Sequence, residues 1–349
     1  MVTDQTASDP RQVDPIDPGR PLAWVVRGDL TESVHTGHLV ALSAEGDPVL
    51  QIGAPDQVMY PRSSVKPIQA LAALRTGLDL TSEQIAVGCA SHSGEERHLE
   101  TVRSILAGAG LSENDLANTP DPPLSAEAAQ ARRDAGHEPT ALTQNCSGKH
   151  AVMLAACVHN GWPTDTYLHA DHPLQQAITA TVSEMSGEPV RHIGVDGCGA
   201  PLLSTTTTGL ARAFAALMTA ADATPEGRIA RAMRAHPDLV GGTGRDVTAA
   251  MQQVPGLVAK DGAEGVYAAA LPDGRAVALK VADGASRPRA VALAAALGVL
   301  GVEPDQTRQW AHVPVLGHGR PVGQVVPAFG AEPAPAAGPE GPPSAGPGR

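Results

Sequence analysis

Two hydrophobic periods divide this chain: strand-like alternation sits at its two ends, and helical periods fill the middle. From Pro21 to Gly53, short Val/Leu-rich runs are broken by Arg27-Gly28-Asp29 and Glu45-Gly46-Asp47, the signature of antiparallel strands joined by tight turns. Helical spacing then takes over in Ser63–Thr76, Glu95–Ala107, Ala126–Ala135, Gly148–Asn160, Pro173–Met185, Leu210–Ala221 and Pro225–Ala235. Strand character returns in Arg191–Val195. Late in the chain, Gly265–Leu271 and Arg275–Val281 flank the turn Pro272-Asp273-Gly274, and a helix follows over Pro288–Leu300. Strands at both ends can bury their apolar faces only by meeting. The expected fold class is therefore α/β of the α+β kind: an antiparallel sheet made from the first and last thirds, flanked by helices, with a helical insertion over about residues 95–235. No internal repeat is visible.

Composition narrows the function. A chain of 349 residues with 42% hydrophobic residues can bury a substantial core, but only 2% are aromatic, so that core must be built from Ala, Val and Leu. Few aromatics and a net charge of -12 argue against nucleic acid as a partner, since phosphate is repelled and bases have little to stack on. No apolar run approaches the length of a membrane span, and the polar, proline-rich start has no apolar targeting core. A cytoplasmic protein acting on a small molecule is expected. Residues 1–19 and the Pro/Ala/Gly-rich stretch 328–349 are expected to lack fixed structure, leaving 20–327 as a single catalytic domain.

Lysine is scarce. Only four of the 25 basic residues are lysine, namely Lys66, Lys149, Lys260 and Lys280, and the other 21 are arginine. An arginine keeps its proton, whereas a lysine amine can give it up and act as a base or a metal ligand, so a lysine that persists in an arginine-rich chain marks possible chemistry. Lys66 lies in Arg62-Ser63-Ser64-Val65-Lys66-Pro67, three residues after Ser63, where one helix face would hold both. The alternative is Ser63 as a helix cap with Lys66 solvated. Lys149 lies in Asn145-Cys146-Ser147-Gly148-Lys149-His150, ahead of an apolar helix. Cys198 lies in the glycine-rich turn Asp196-Gly197-Cys198-Gly199-Ala200-Pro201. Their flanking glycines and polar groups make Cys146 and Cys198 more open to chemistry than Cys157, which sits inside an apolar helix. Lys280 closes the strand-like run Ala276–Leu279, and Lys260 sits in Ala259-Lys260-Asp261-Gly262-Ala263-Glu264-Gly265, which reads as a turn. In Cys89-Ala90-Ser91-His92-Ser93-Gly94-Glu95, Ser91 or Ser93 is either a second functional serine or a cap on the next helix.

Taken in order, Ser63-x-x-Lys66, Ser91-x-Ser93 and a late strand lysine resemble the serine β-lactamase and penicillin-binding protein arrangement, in which S-x-x-K, S-x-N and a strand lysine surround one acyl-transfer site. Ser93 replaces the asparagine, and Lys280 lacks the Thr-Gly that follows that lysine. The finer resemblance is to the rhizobial-type L-asparaginases. It spans roughly residues 20–325 and rests on the motifs above together with Gly242-Thr243-Gly244-Arg245 and Gly262-Ala263-Glu264-Gly265. The resemblance implies a β-lactamase-like fold and hydrolysis of L-asparagine by two Ser-Lys pairs, Ser63 with Lys66 and Ser91 with Lys280. It also implies a modulatory zinc ion on Cys146, Lys149 and Cys198, and a homodimer. Arg62, His92, His150 and Asp196, each in or beside a motif, are the candidate substrate contacts.

Overall fold

The structure, a computed structural model, describes residues 17–330. Its strands are β1 (Arg20–Arg27), β2 (Leu30–Leu42), β3 (Pro48–Ile52), β4 (Val58–Met59), β5 (Ile193–Val195), β6 (Pro201–Leu203), β7 (Thr205–Thr206), β8 (Val258–Gly262), β9 (Val266–Ala270), β10 (Ala276–Val281), β11 (Pro314–Gly317) and β12 (Arg320–Pro327). Its helices are α1 (Lys66–Arg75), α2 (Ser82–Gly88), α3 (Glu96–Gly108), α4 (Ala126–Asp134), α5 (Ser147–Asn160), α6 (Pro173–Ser186), α7 (Thr207–Thr219), α8 (Pro225–Ala235), α9 (Pro237–Val240), α10 (Asp246–Gln253) and α11 (Arg289–Val299). A 3-10 turn over Arg62–Val65 leads into α1.

The two ends of the chain do meet. An eight-stranded antiparallel sheet runs β11-β12-β1-β2-β10-β9-β8, with β3 also paired to β2. At the junction Leu279 of β10 faces Leu39 of β2, and Lys280 faces His38. The long β2 serves two neighbours on one edge: its first part pairs with β1 and its last residues with β3. Every residue of β8, β9 and β10 is buried, which requires cover on both faces of the sheet. That cover comes from α7, which packs on β2, β9 and β10, and α11, which packs on β1, β2, β9, β10 and β12. Alanines fill much of β9 and β10, letting both helices approach closely, so the interior scarcely needs aromatic bulk.

The other helices form the layer that carries the site. Helix α5, buried almost throughout, lies at its centre against α1, α2, α3 and α6. Gly148 permits that position, because a Cβ there would lie 2.2 Å from the carbonyl oxygen of Val87 at the end of α2. No helix among the described residues is long and apolar enough to cross a membrane.

The structure also departs from the sequence reading in places. Lys260-Asp261-Gly262 forms the end of a fully buried strand instead of a turn, because its two charges answer each other inside the protein. Helix α2 and the β11–β12 hairpin, neither expected, complete the helical layer and one sheet edge. Of the stretches expected to lack fixed structure, residues 1–16 and 331–349 lie outside the described residues. Asp17 is tied down through its carbonyl, 3.0 Å from His38 Nε2, and the backbone N–H of Ala328 donates to Leu22. The ordered unit therefore reaches slightly beyond 20–327.

Candidate active site

All four lysines are buried, with relative exposures of 1% for Lys66, 3% for Lys149, 0% for Lys260 and 8% for Lys280. None of them is the solvated side chain that a lysine usually is.

Lys66 begins α1, and its amine runs inward. Nζ donates to the Ala90 carbonyl at 2.7 Å and to Ser91 Oγ at 3.1 Å. Ala90 lies just past the last turn of α2, where the helix dipole favours a cation. Ser63 sits on the 3-10 turn with its side chain partly exposed, caps nothing, and makes no side-chain hydrogen bond among the described residues. The hydrogen-bonded couple is therefore Lys66 with Ser91, not Lys66 with Ser63, because the amine reaches across to the loop after α2 instead of back along its own turn. Ser93, the rival to Ser91, points elsewhere: its hydroxyl donates to the Gly241 carbonyl, and α3 is capped by Glu95.

The two sheet lysines differ from the expected arrangement. Lys280 Nζ donates to the main-chain oxygens of Glu264 and Val281, both at 2.7 Å, and no hydrogen bond joins it to Ser91. Strand β8 instead packs on the turn that carries Ser63, and Ser64 Oγ donates to the Lys260 carbonyl at 3.2 Å. Lys260 Nζ rests on Asp261, 2.6 Å from Oδ1 and 2.7 Å from its carbonyl oxygen. Burial, with the nearby charge of Lys66, lowers the Lys260 amine to about 8, although Asp261 pulls the other way. The Asp261 carboxylate also binds Arg245 at 2.6 Å, and Arg245 in turn reaches the Ser91 carbonyl at 3.2 Å.

The cysteine motifs converge beside this group. Lys149 Nζ donates to Cys198 Sγ at 3.1 Å, the Cys198 thiol donates to Asp196 Oδ2 at 3.8 Å, and Cys146 packs against Cys198. The neighbouring Cys198, helped by the charges of Lys66 and Lys149, holds Cys146 well below the usual thiol range against its burial, while Cys198 is raised. Burial opposes a charge on Lys149, but Cys198 and Cys146 outweigh it and raise the amine. Asp196, in the turn between β5 and β6, accepts from Arg62 Nε at 2.9 Å. Cys157 is packed inside α5, and burial pushes its thiol up to about 11.

The two candidate histidines are both enclosed by the fold. His92 is fully buried, its Nε2 2.8 Å from Ser147 Oγ and its ring stacked on His98. His150 is fully buried against Tyr167, with Nδ1 2.8 Å from the phenol oxygen. Burial lowers His92 well below its usual range and His150 to about 4, so neither imidazole offers a positive charge to a carboxylate.

The L-asparaginase II family matches the chain over residues 23–327, nearly its whole described length. The chain belongs to that family. This L-asparaginase II family member is accordingly an amidohydrolase, an enzyme that breaks amide bonds. No curated protein matches it closely enough to be paired with it. Among solved structures, Mglu in its native form is 15% identical at a TM-score of 0.42, covering 83% of this chain and 69% of that one. A β-lactamase (Mb2281c) from Mycobacterium bovis is 16% identical at a TM-score of 0.37, covering 78% and 95%. EstCE1, described as a hydrolase with promiscuous acyltransferase activity, is 14% identical at a TM-score of 0.39, covering 79% and 93%.

The zinc expected for this family can be judged against the side chains present. No set of three or more His, Cys, Asp or Glu side chains among the described residues is placed to hold a metal. Two thiols and an amine do meet, however, and His150 Nε2 is buried beside them without a partner. Soft thiolates with a nitrogen donor suit zinc, so the cluster fits the ion. The residue that the sequence reading passed over is Lys260. Its signal was the glycine two positions later: Lys260-Asp261-Gly262 keeps the spacing of the K-T-G strand motif, which Lys280-Val281-Ala282 does not.

Proposed function

We propose that this amidohydrolase is an L-asparaginase working through an acyl-enzyme. Ser63 Oγ bonds to the side-chain amide carbon of L-asparagine, the C–N bond breaks, and the departing nitrogen takes up a proton and leaves as ammonia. Water then cleaves the β-aspartyl ester to give L-aspartate. The observation that carries this reading is the buried contact of Lys66 Nζ with Ser91 Oγ, 3.1 Å, in a chain whose Ser63, three residues before Lys66, makes no side-chain hydrogen bond among the described residues. In this scheme Ser91 hands the Ser63 proton to Lys66 once that amine has shed one of its own, and the same path in reverse supplies the leaving group. Lys260, lowered to about 8, takes the place of Lys280 as the second amine of the site. Arg62 and Asp196, opposite charges with side chains only 24% and 11% exposed, match the carboxylate and ammonium of a free amino acid. A zinc ion on Cys146, Lys149 and Cys198 would supply fixed positive charge next to Asp196, and no step depends on it.

The test is ammonia release from L-asparagine, with L-glutamine and a chromogenic β-lactam run in parallel. Ser63→Ala should lower asparagine turnover by about a thousandfold or more while leaving the unfolding midpoint unchanged. Turnover near the wild-type rate would remove Ser63 from the mechanism, and preferred cleavage of the β-lactam would remove the substrate. The Lys66–Ser91 bond also favours a second reading, with Ser91 as nucleophile and Lys66 as its base. Peptide mapping of a trapped acyl adduct to Ser63 or to Ser91 separates the two.

A further inference from the structure

Two of the three non-glycine residues with left-handed backbone among those described face each other at the site: Arg62 at φ 52° and Glu264 at φ 56°. Side chains avoid this region unless the surroundings hold them there, and such residues gather where a geometry matters. Arg62 immediately precedes Ser63. Its guanidinium spans two elements, with Nε 2.9 Å from Asp196 Oδ1 and Nη1 3.6 Å from Glu264 Oε1. Glu264 belongs to the turn between β8 and β9, and that turn supports the Ser63 segment directly. A Cβ on Gly262 would lie 2.8 Å from both the Pro61 oxygen and Ser64 Oγ.

We propose that Lys280 is a positioning residue that pins the β8–β9 turn, and through Glu264 and Arg62 sets the direction of the Ser63 hydroxyl. Its Nζ donates to the Glu264 carbonyl and the Val281 carbonyl, both at 2.7 Å, tying the tip of the turn to the end of β10. The backbone N–H of Val281 adds a bond to the Gly265 oxygen at 2.9 Å. No carboxylate lies within ion-pair distance of Lys280 among the described residues, and both hydrogen bonds its amine makes there go to main-chain oxygens. This role rests on the reading of Ser63 as nucleophile.

The experiment uses the full chain, a fluorophosphonate probe with the labelled serine mapped by mass spectrometry, and ammonia release measured across pH. Lys280→Met keeps the apolar stem and removes the donors. It should slow both Ser63 labelling and turnover by about 10- to 100-fold, the scale of an ångström's misplacement, with the shape of the pH profile unchanged. Glu264→Gln, at a side chain 60% exposed and so harmless to folding, should slow labelling several-fold alone and add nothing in the Lys280→Met background. Labelling of Ser63 at the wild-type rate in Lys280→Met overturns the proposal. A lost limb of the pH profile overturns it too, because Lys280 would then be moving the proton itself. Labelling on Ser91 in the wild type overturns the nucleophile reading and this proposal together, and shows before any variant is made.

Discussion

Strands β8 and β10 flank β9, and each buries one lysine amine near the same end of the sheet, yet the two amines are stabilised in opposite ways. Lys260 meets a carboxylate: Asp261 Oδ1 lies 2.6 Å away, and the same carboxylate is held by Arg245 at 2.6 Å and approached by Arg289 at 3.7 Å. Among the described residues, the Lys280 amine hydrogen-bonds two carbonyl dipoles and no carboxylate. Burial lowers both amines. An anion among three cations makes Lys260 part of a network reaching from the Ser63 turn to the Ser91 carbonyl, whereas the dipoles around Lys280 commit it to one turn. A buried lysine takes its role from what answers its charge, and the strand alone does not reveal that.

The sharpest break of this comparison removes the acid that pairs with Lys260 and, as its counterpart, an exposed acid in the turn after Lys280. Asp261→Asn leaves buried Lys260 and the half-buried Arg245 and Arg289 around a neutral amide, and should cost about 3–5 kcal/mol of unfolding free energy in urea. Asp283→Asn, at a side chain 52% exposed and paired with His35, should cost less than about 1 kcal/mol. Equal losses would mean that Asp261 is no keystone and that the two lysine sites do not differ as described.

The activity profile gives a second contrast. If Lys260 must be neutral for turnover, kcat/KM for L-asparagine should rise through pH about 8, the value to which burial lowers this amine. Lys260→Met should lose that limb, and Lys280→Met should keep it. A limb that survives in Lys260→Met removes Lys260 from proton transfer.

These contrasts also mark what the sequence could and could not say. Alternation placed β1, β2, β9 and β10, and helical spacing placed α5, α6 and α8 to within a residue or two, because each buries a continuous apolar face. Strand β8 was hidden because Lys260 and Asp261 look like solvated turn residues unless their mutual burial is known. The site motifs were legible as short clusters of unusual residue types, and the scarcity of lysine singled out four side chains that all prove to be buried. The pairing between motifs was not legible. Lys66 and Ser91 are 25 residues apart and meet only because α1 enters beside the end of α2. The burial of His92 and His150 was not legible either, because sequence does not show which polar side chains a fold encloses.

A smaller effect than the loss of Asp261 is also the most direct measure of the cost of burying Lys260. Its folded-state amine sits at about 8, below the ordinary value of 10.5, so between those values the unfolded chain binds the proton that the folded chain has released. Stability from this group therefore rises as pH climbs from about 8 towards 10.5, and below 8 the full cost of charging a buried amine is present. Other groups titrate in the same range, so the informative quantity is the difference between wild type and Lys260→Met. In Lys260→Met, Asp261 keeps Arg245 and Arg289, and the fold should survive. The stability of the variant relative to wild type should fall by about 1–2 kcal/mol between pH 8 and pH 10, read from paired urea titrations. A difference that stays flat across that window would mean that Asp261 holds the proton on Lys260 throughout, and the amine would then be a fixed charge of the network with no proton to move.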